Sequence, residues 1–128
     1  TVIDCPPGSA CIVMESIQDA DYCILVAEPT IFGVHNLAMV HELVELFKKP
    51  HGVLLNKCLE SANPAEEYAD QNGIKILGKI PFDYELGRLN SDGRIAARES
   101  DKYRGLFAGI LDEVAKEVHH EAITHSKR

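Results

Sequence analysis

Three short apolar runs constrain this chain more than any other feature: Tyr22-Cys23-Ile24-Leu25-Val26-Ala27, Gly52-Val53-Leu54-Leu55-Asn56 and Ile74-Lys75-Ile76-Leu77-Gly78. The first two are apolar at successive positions rather than alternating ones, the pattern of a strand covered on both faces. Between the runs the period changes. Leu37, Val40, Val44 and Phe47 recur at three- and four-residue spacing, which predicts a helix over 34–48. Asn63-Pro64-Ala65-Glu66 reads as a helix start, with a capping side chain, a first-turn proline and an acidic third position. Asn72-Gly73 closes that helix, because glycine takes the left-handed cap. Strands alternating with helices predict an α/β fold, a three-layer, mostly parallel sheet with crossover helices.

The flanks extend the pattern. Thr1-Val2-Ile3-Asp4 reads as the end of a further buried strand, stopped at Cys5-Pro6-Pro7-Gly8 because proline neither donates to a ladder nor permits a helix before it. Ser9 is a cap for a short helix carrying Ile12, Val13 and Ile17. A short helix is expected over 84–90 and a long one over 102–119. The long one has a stripe of Tyr103, Leu106, Phe107, Ile110, Leu111, Val114, Ala115 and Val118 to cover the sheet, and a polar tail that frays. With no internal repeat or linker, residues 1–128 form one domain. Opening without Met in the middle of a strand, it reads either as a chain shortened by processing or as a piece of a longer one.

Charge and composition remove whole classes of function. Thirteen Lys+Arg against twenty Asp+Glu leave a formal charge of -7, the wrong sign for a protein that neutralises a phosphate backbone, so nucleic acid is not an expected partner. No run of about 18 apolar residues is available to span a bilayer. The four cysteines, Cys5, Cys11, Cys23 and Cys58, form no C-x-x-C pair and read as reduced thiols of a cytoplasmic protein.

In open parallel sheets, ligands bind beyond the carboxyl ends of the strands. Four segments arrive there: Asp4-Cys5-Pro6-Pro7-Gly8, Glu28-Pro29-Thr30, Asn56-Lys57 and Pro81-Phe82-Asp83. A carboxylate at the position of Asp4 can face a hydrated Mg²⁺ that bridges phosphates. Gly8 lets a stiff loop approach a ligand and present its N–H. Taken singly, Asp4 reads equally as a turn residue, and Asn56 as a strand-end turn.

Together these segments resemble the MinD/ParA/Mrp class of P-loop ATPases. Residues 4–8 are similar to its switch II segment, and Ala20-Asp21-Tyr22 through Glu28-Pro29-Thr30 to its next strand. Phe32-Gly33 with His35-Asn36-Leu37 resembles the following helix start, residues 53–57 its "Nk" strand, and residues 78–83 its "IPfD" loop. The MinD-superfamily ATPases with an inserted ferredoxin domain look most similar, through Pro-Pro-Gly followed by a cysteine at Cys11. The likeness runs to about residue 85 and weakens beyond.

The resemblance implies a partial P-loop fold that uses ATP and Mg²⁺ and closes as a homodimer, with a parent that is an ATP hydrolase. It implies that Asp4 holds the Mg²⁺ shell, that Gly8, after Pro7, meets the terminal phosphate, and that Asn56 reads the adenine edge with Pro81, Phe82 and Asp83 beside the base. It also implies a client in iron–sulfur cluster or electron transfer. Cys11, seven residues after Asp4, matches the spacing of a [4Fe–4S] ligand in the nitrogenase iron protein; the residue itself reads equally as a small buried hydrophobe.

The departure is as informative as the likeness. No G-x-x-x-x-G-K-[ST] loop is present, and the Gly-Lys pair Gly78-Lys79 has neither the earlier glycine nor the following hydroxyl. The Walker A strand, loop and helix are therefore expected upstream, and this chain alone is expected to bind ATP weakly and hydrolyse it negligibly. The missing strand would lie between the strand ending at Asp4 and the run ending at Ala27. Without it those two pair directly, recruit a second chain or leave an open edge. Two other readings stand beside this one: an iron–sulfur carrier with Cys11 as ligand, and a non-catalytic oligomerising α/β domain. The six histidines suggest no metal site, since His35 and His41 do not share a helix face and no carboxylate-backed pair emerges from the spacing.

Overall fold

A computed structural model of the chain describes residues 2–5, 11–58 and 63–126. Among these residues the elements follow in the order α1 (Cys11–Asp19), β1 (Cys23–Ala27), α2 (Ile31–Leu46), β2 (His51–Cys58), α3 (Pro64–Gln71), β3 (Lys75–Pro81), α4 (Tyr84–Ser91), α5 (Ala96–Glu99) and α6 (Asp101–Ser126). The three apolar runs become the three strands, in the order β1-β2-β3, all parallel. Leu25 pairs with Val53 and Val53 with Ile76. The register then shifts, so that Leu54 lies opposite Gly78.

The two faces of the sheet are covered differently. On one face Val13, Ile17, Leu25, Leu37, Val44, Val53 and Leu55 form one buried cluster with Ala65 and Ala69 from α3. Burying a side chain such as Leu55 is worth about 1.5–3 kcal/mol. On the other face α6 crosses β3 where Gly78 has no side chain: a Cβ there would meet Ile110 at 2.9 Å. Tyr103 of α6, fully buried, joins Leu89 and Ala96 in a second cluster with Leu86 and Phe107 around it. This is the α/β/α arrangement of a partial P-loop fold. α6 does not reach across to β1, where Ile24 and Val26 stay 46% and 60% exposed.

Local chemistry sets the helix starts. Asn63 accepts from the amides of Ala65 and Glu66, and Pro64 follows in the first turn. Gly73 ends that helix at φ +66°. The short α5, Ala96–Glu99, has no side-chain cap and no sequence cue.

Three expectations are corrected. Residues 2–5 are exposed and belong to no strand, so among the described residues β1 has a single neighbour and the outcome is an open edge. The long helix does not fray at residue 119 but continues to Ser126. Its stripe is only partly used: Leu111 and Val118 remain exposed. Ser9 lies outside the described residues. No helix among them is long and apolar enough to cross a membrane.

Candidate functional site

The parallel strands deliver three chain exits to one end of the sheet. After β1, Thr30 takes an extended backbone and its hydroxyl accepts the Gly33 N–H at 2.8 Å, capping α2. A Cβ on Gly33 would lie 2.3 Å from the carbonyl oxygen of Glu28. Only glycine lets the first turn of α2 sit against this exit.

At the end of β2, Asn56 Oδ1 accepts the Lys57 N–H at 3.0 Å. Lys57 is left-handed (φ 55°) and reaches back to Glu28, Nζ to Oε1 3.1 Å. β3 ends beside it: Cys58 is the register partner of Pro81, and the Phe82 N–H donates to the Cys58 carbonyl at 2.8 Å. The half-exposed Phe82 ring meets Tyr84 edge-on, centroids 5.2 Å apart. Burial pushes the Cys58 thiol up from its ordinary range.

Asp83 turns toward α6. Its Oδ1 accepts the Glu85 N–H at 2.9 Å to cap α4, and its Oδ2 pairs with Lys102 Nζ at 3.0 Å. The Tyr103 hydroxyl, then Lys102, hold this carboxyl down at about 2. Burial, then the same carboxylate, push the Tyr103 phenol up to about 12.

Behind Asn56 lies a cleft of about 480 Å³. Ile80, Leu86 and Phe107 line it with apolar surface, while Asn56, Asn90 and Arg94 supply amide and guanidinium groups. The cleft is open to solvent, and its walls combine apolar surface with a few polar groups. An amide such as that of Asn56 offers both donor and acceptor.

The residues expected to bind nucleotide are therefore only partly brought together. Asn56 lines the cleft, and Pro81 and Phe82 leave β3 next to Cys58. The Asp83 carboxylate is occupied by the α4 cap and Lys102. Asp4 is exposed in the non-strand segment 2–5. Pro7 and Gly8 lie outside the described residues. Cys11 opens α1, and its side chain lies outside them too.

Sequence reasoning missed Asn90, Arg94 and Phe107, which reach Asn56 only through the packing of α4 and α6 and carry no local signal. It also missed a cluster at the other end of the sheet, where His41, Glu45 and His51 converge. The expectation that no carboxylate-backed histidine pair exists is corrected: α2 and the first residue of β2 supply one jointly.

No family model matches the chain. It is 27% identical over 92 residues to an uncharacterized protein of Methanocaldococcus jannaschii, covering 69% of this chain and 29% of that protein. A second uncharacterized protein of the same organism is 32% identical over 56 residues, 44% of this chain and 21% of that protein. The chain thus spans less than a third of the curated relatives it matches. Among solved structures, the cell division ATPase MinD of Pyrococcus furiosus superposes with a TM-score of 0.72 at 23% identity, covering 88% of this chain and 50% of that one. The likeness establishes a shared fold.

Proposed function

We propose that this chain forms the base-binding side of a MinD-like, nucleotide-binding ATPase domain. The observation that carries the reading is the cleft behind Asn56, at the carboxyl end of the middle strand of a sheet that superposes on MinD. That is where ligands bind in open α/β sheets. The donor set fits a purine: the Asn56 amide for the base edge, and Ile80, Leu86 and Phe107 for its faces.

The phosphate side of the site falls to residues 4–8. Asp4 would orient the water shell of Mg²⁺, and the Gly8 amide would meet the terminal phosphate on a loop stiffened by Pro7. Mg²⁺, when bound, neutralises phosphate charge. The phosphate cradle is supplied from outside this sequence, and the open edge of β1 with the exposed Ile24 and Val26 supports a sheet that continues in another segment. A domain of this kind uses nucleotide to close a homodimer.

Amide chemical shifts under Mg-ATP titration test the reading. The shifts should concentrate at Asn56 and across 80–97, with weak affinity because the cradle is not in the chain. Asn56→Ala should weaken binding about 5- to 10-fold, the equivalent of one hydrogen bond of about 1–1.4 kcal/mol. Shifts that bypass both regions, or an Asn56→Ala chain that binds ATP as the parent does, overturn it.

A further inference from the structure

The strongest unassigned feature is at the amino end of the sheet, away from the cleft. His41 and Glu45 stand one turn apart on α2, and His51 begins β2. The His41 Nε2 lies 3.3 Å from Glu45 Oε1, the His51 Nε2 lies 3.6 Å from the same oxygen, and the three donor atoms all fall within 4.8 Å of one another. Four-coordinate zinc with bonds of about 2.0–2.1 Å holds its ligand atoms about 3.4 Å apart. The cluster needs little adjustment to reach that spacing.

The outward nitrogen of His51 is bound in a way that frees the inward one, and that of His41 has a partner compatible with the same tautomer. The His51 Nδ1 is 2.9 Å from the Lys49 carbonyl oxygen. A carbonyl only accepts, so Nδ1 carries the hydrogen, and in the neutral ring Nε2 presents a bare lone pair toward the carboxylate. The His41 Nδ1 is 2.9 Å from the Tyr68 hydroxyl of α3, a partner able to accept its hydrogen, while among the described residues its buried Nε2 makes no hydrogen bond, although Glu45 Oε1 lies 3.3 Å away. The His51 lone pair and the carboxylate it faces repel unless a cation lies between them. A metal-bound histidine characteristically donates its other ring N–H to a carbonyl or another acceptor, which fixes the tautomer and the ring plane. Lys49 and Tyr68 provide those second partners.

We propose that His41 Nε2, His51 Nε2 and a Glu45 carboxylate oxygen form a binding site for one divalent transition-metal ion of the zinc type. Two imidazoles and a carboxylate match a borderline ion rather than Mg²⁺ or Ca²⁺, which prefer all-oxygen sets. Glu45 is 61% exposed, and with His51 it borders an open cleft that also holds Lys48, Lys49 and Lys75. The remaining coordination position therefore faces solvent and takes water or a small anion. The ion ties α2 to β2 and, through Tyr68, to α3. The proposal rests on none of the nucleotide reading.

The test is Zn²⁺ titration of the 128-residue chain against a competing chromophoric chelator, with Co²⁺ as a spectroscopic stand-in. Three results are expected: one ion per chain, a melting temperature raised by Zn²⁺ and restored by EDTA, and a tetrahedral Co²⁺ spectrum without the strong thiolate charge-transfer band. His51→Gln and Glu45→Gln should each weaken binding at least tenfold. A chain with His119, His120 and His125 all changed to Ala should bind as the parent does. Glu45, being exposed, tolerates its substitution if His51→Gln fails to fold. No bound ion, a thiolate spectrum, unchanged affinity in Glu45→Gln, or loss in the tail variant overturns the proposal.

Discussion

The two ends of the sheet share a strand and little else. β2 begins with His51 in the histidine–glutamate cluster and carries Asn56 in the cleft near its other end. At the carboxyl end each exit is marked in the sequence, because a strand that must stop and feed a helix needs a cap, a proline or a turn: Glu28-Pro29-Thr30, Asn56-Lys57 and Pro81-Phe82-Asp83. At the amino end nothing is marked. His41 and Glu45 look like any solvated pair on a helix, and His51 like any residue entering a strand. The contrast shows that a site at strand exits leaves a local trace. A site made by one helix face meeting a neighbouring strand's first residue leaves none.

The sharpest way to break the comparison is to damage what the two ends share. Leu55 is fully buried on β2, between His51 and the strand's end. Leu55→Ala should cost about 2–5 kcal/mol through lost transfer energy and the cavity left behind, read as a lower urea midpoint. The nucleotide response and the zinc-induced melting shift should then disappear over the same denaturant range. If one persists after the other is gone, the ends belong to separately stable units and β2 is not their common support.

How much was legible follows the same division. The strands were readable because burial on both faces demands unbroken apolar runs, and α3 because Asn63, Pro64 and Gly73 each answer a backbone requirement. The end strand expected at residues 2–4 did not form: apolar residues specify a strand only where a neighbour offers a ladder, and Val2 is almost fully exposed. In the candidate site, Asn56 was legible because it closes an apolar run, although β2 continues to Cys58, whereas the approach of Asn90, Arg94 and Phe107 depends on how α4 and α6 fold back. Asp83 was legible as a polar residue at a strand exit, but its attachment to Lys102 depends on a distant helix packing back onto that exit.

That attachment gives the carboxyl end a pH signature of its own. The folded Asp83 carboxyl is held at about 2, below its ordinary 3.8. A depressed folded value means the unfolded chain binds the proton more readily. The stabilisation is therefore present above pH 3.8 and is lost as pH falls toward 2. The Tyr103 phenol runs the other way: its folded value is raised from 10 to about 12, so its contribution is whole below pH 10 and is lost as pH rises through 12. Asp83→Asn keeps an oxygen to cap α4 and removes the charge. It should flatten the pH dependence of stability on the acid side and weaken the alkaline one, as seen in urea midpoints taken across pH. An Asp83→Asn chain with both limbs intact would mean that other groups set them.

The smallest effect isolates backbone from charge at the end of β2. Lys57 has φ 55°, a conformation that costs a non-glycine residue about 1–2 kcal/mol. Its side chain pairs with Glu28 at an exposed position, an interaction worth about 0–1 kcal/mol. Lys57→Ala loses the pair and keeps the strain. Lys57→Gly loses the pair and releases the strain, but its unfolded chain gains freedom worth about 0.4–1 kcal/mol. The glycine chain should therefore melt close to the parent, and the alanine chain should fall below it by no more than the value of the ion pair. Glycine at or above alanine means that the strain released at the turn outweighs the freedom gained by the unfolded chain. If glycine falls below alanine, the strain at Lys57 is smaller than that freedom, and in either case the drop from parent to alanine measures the Glu28 contact.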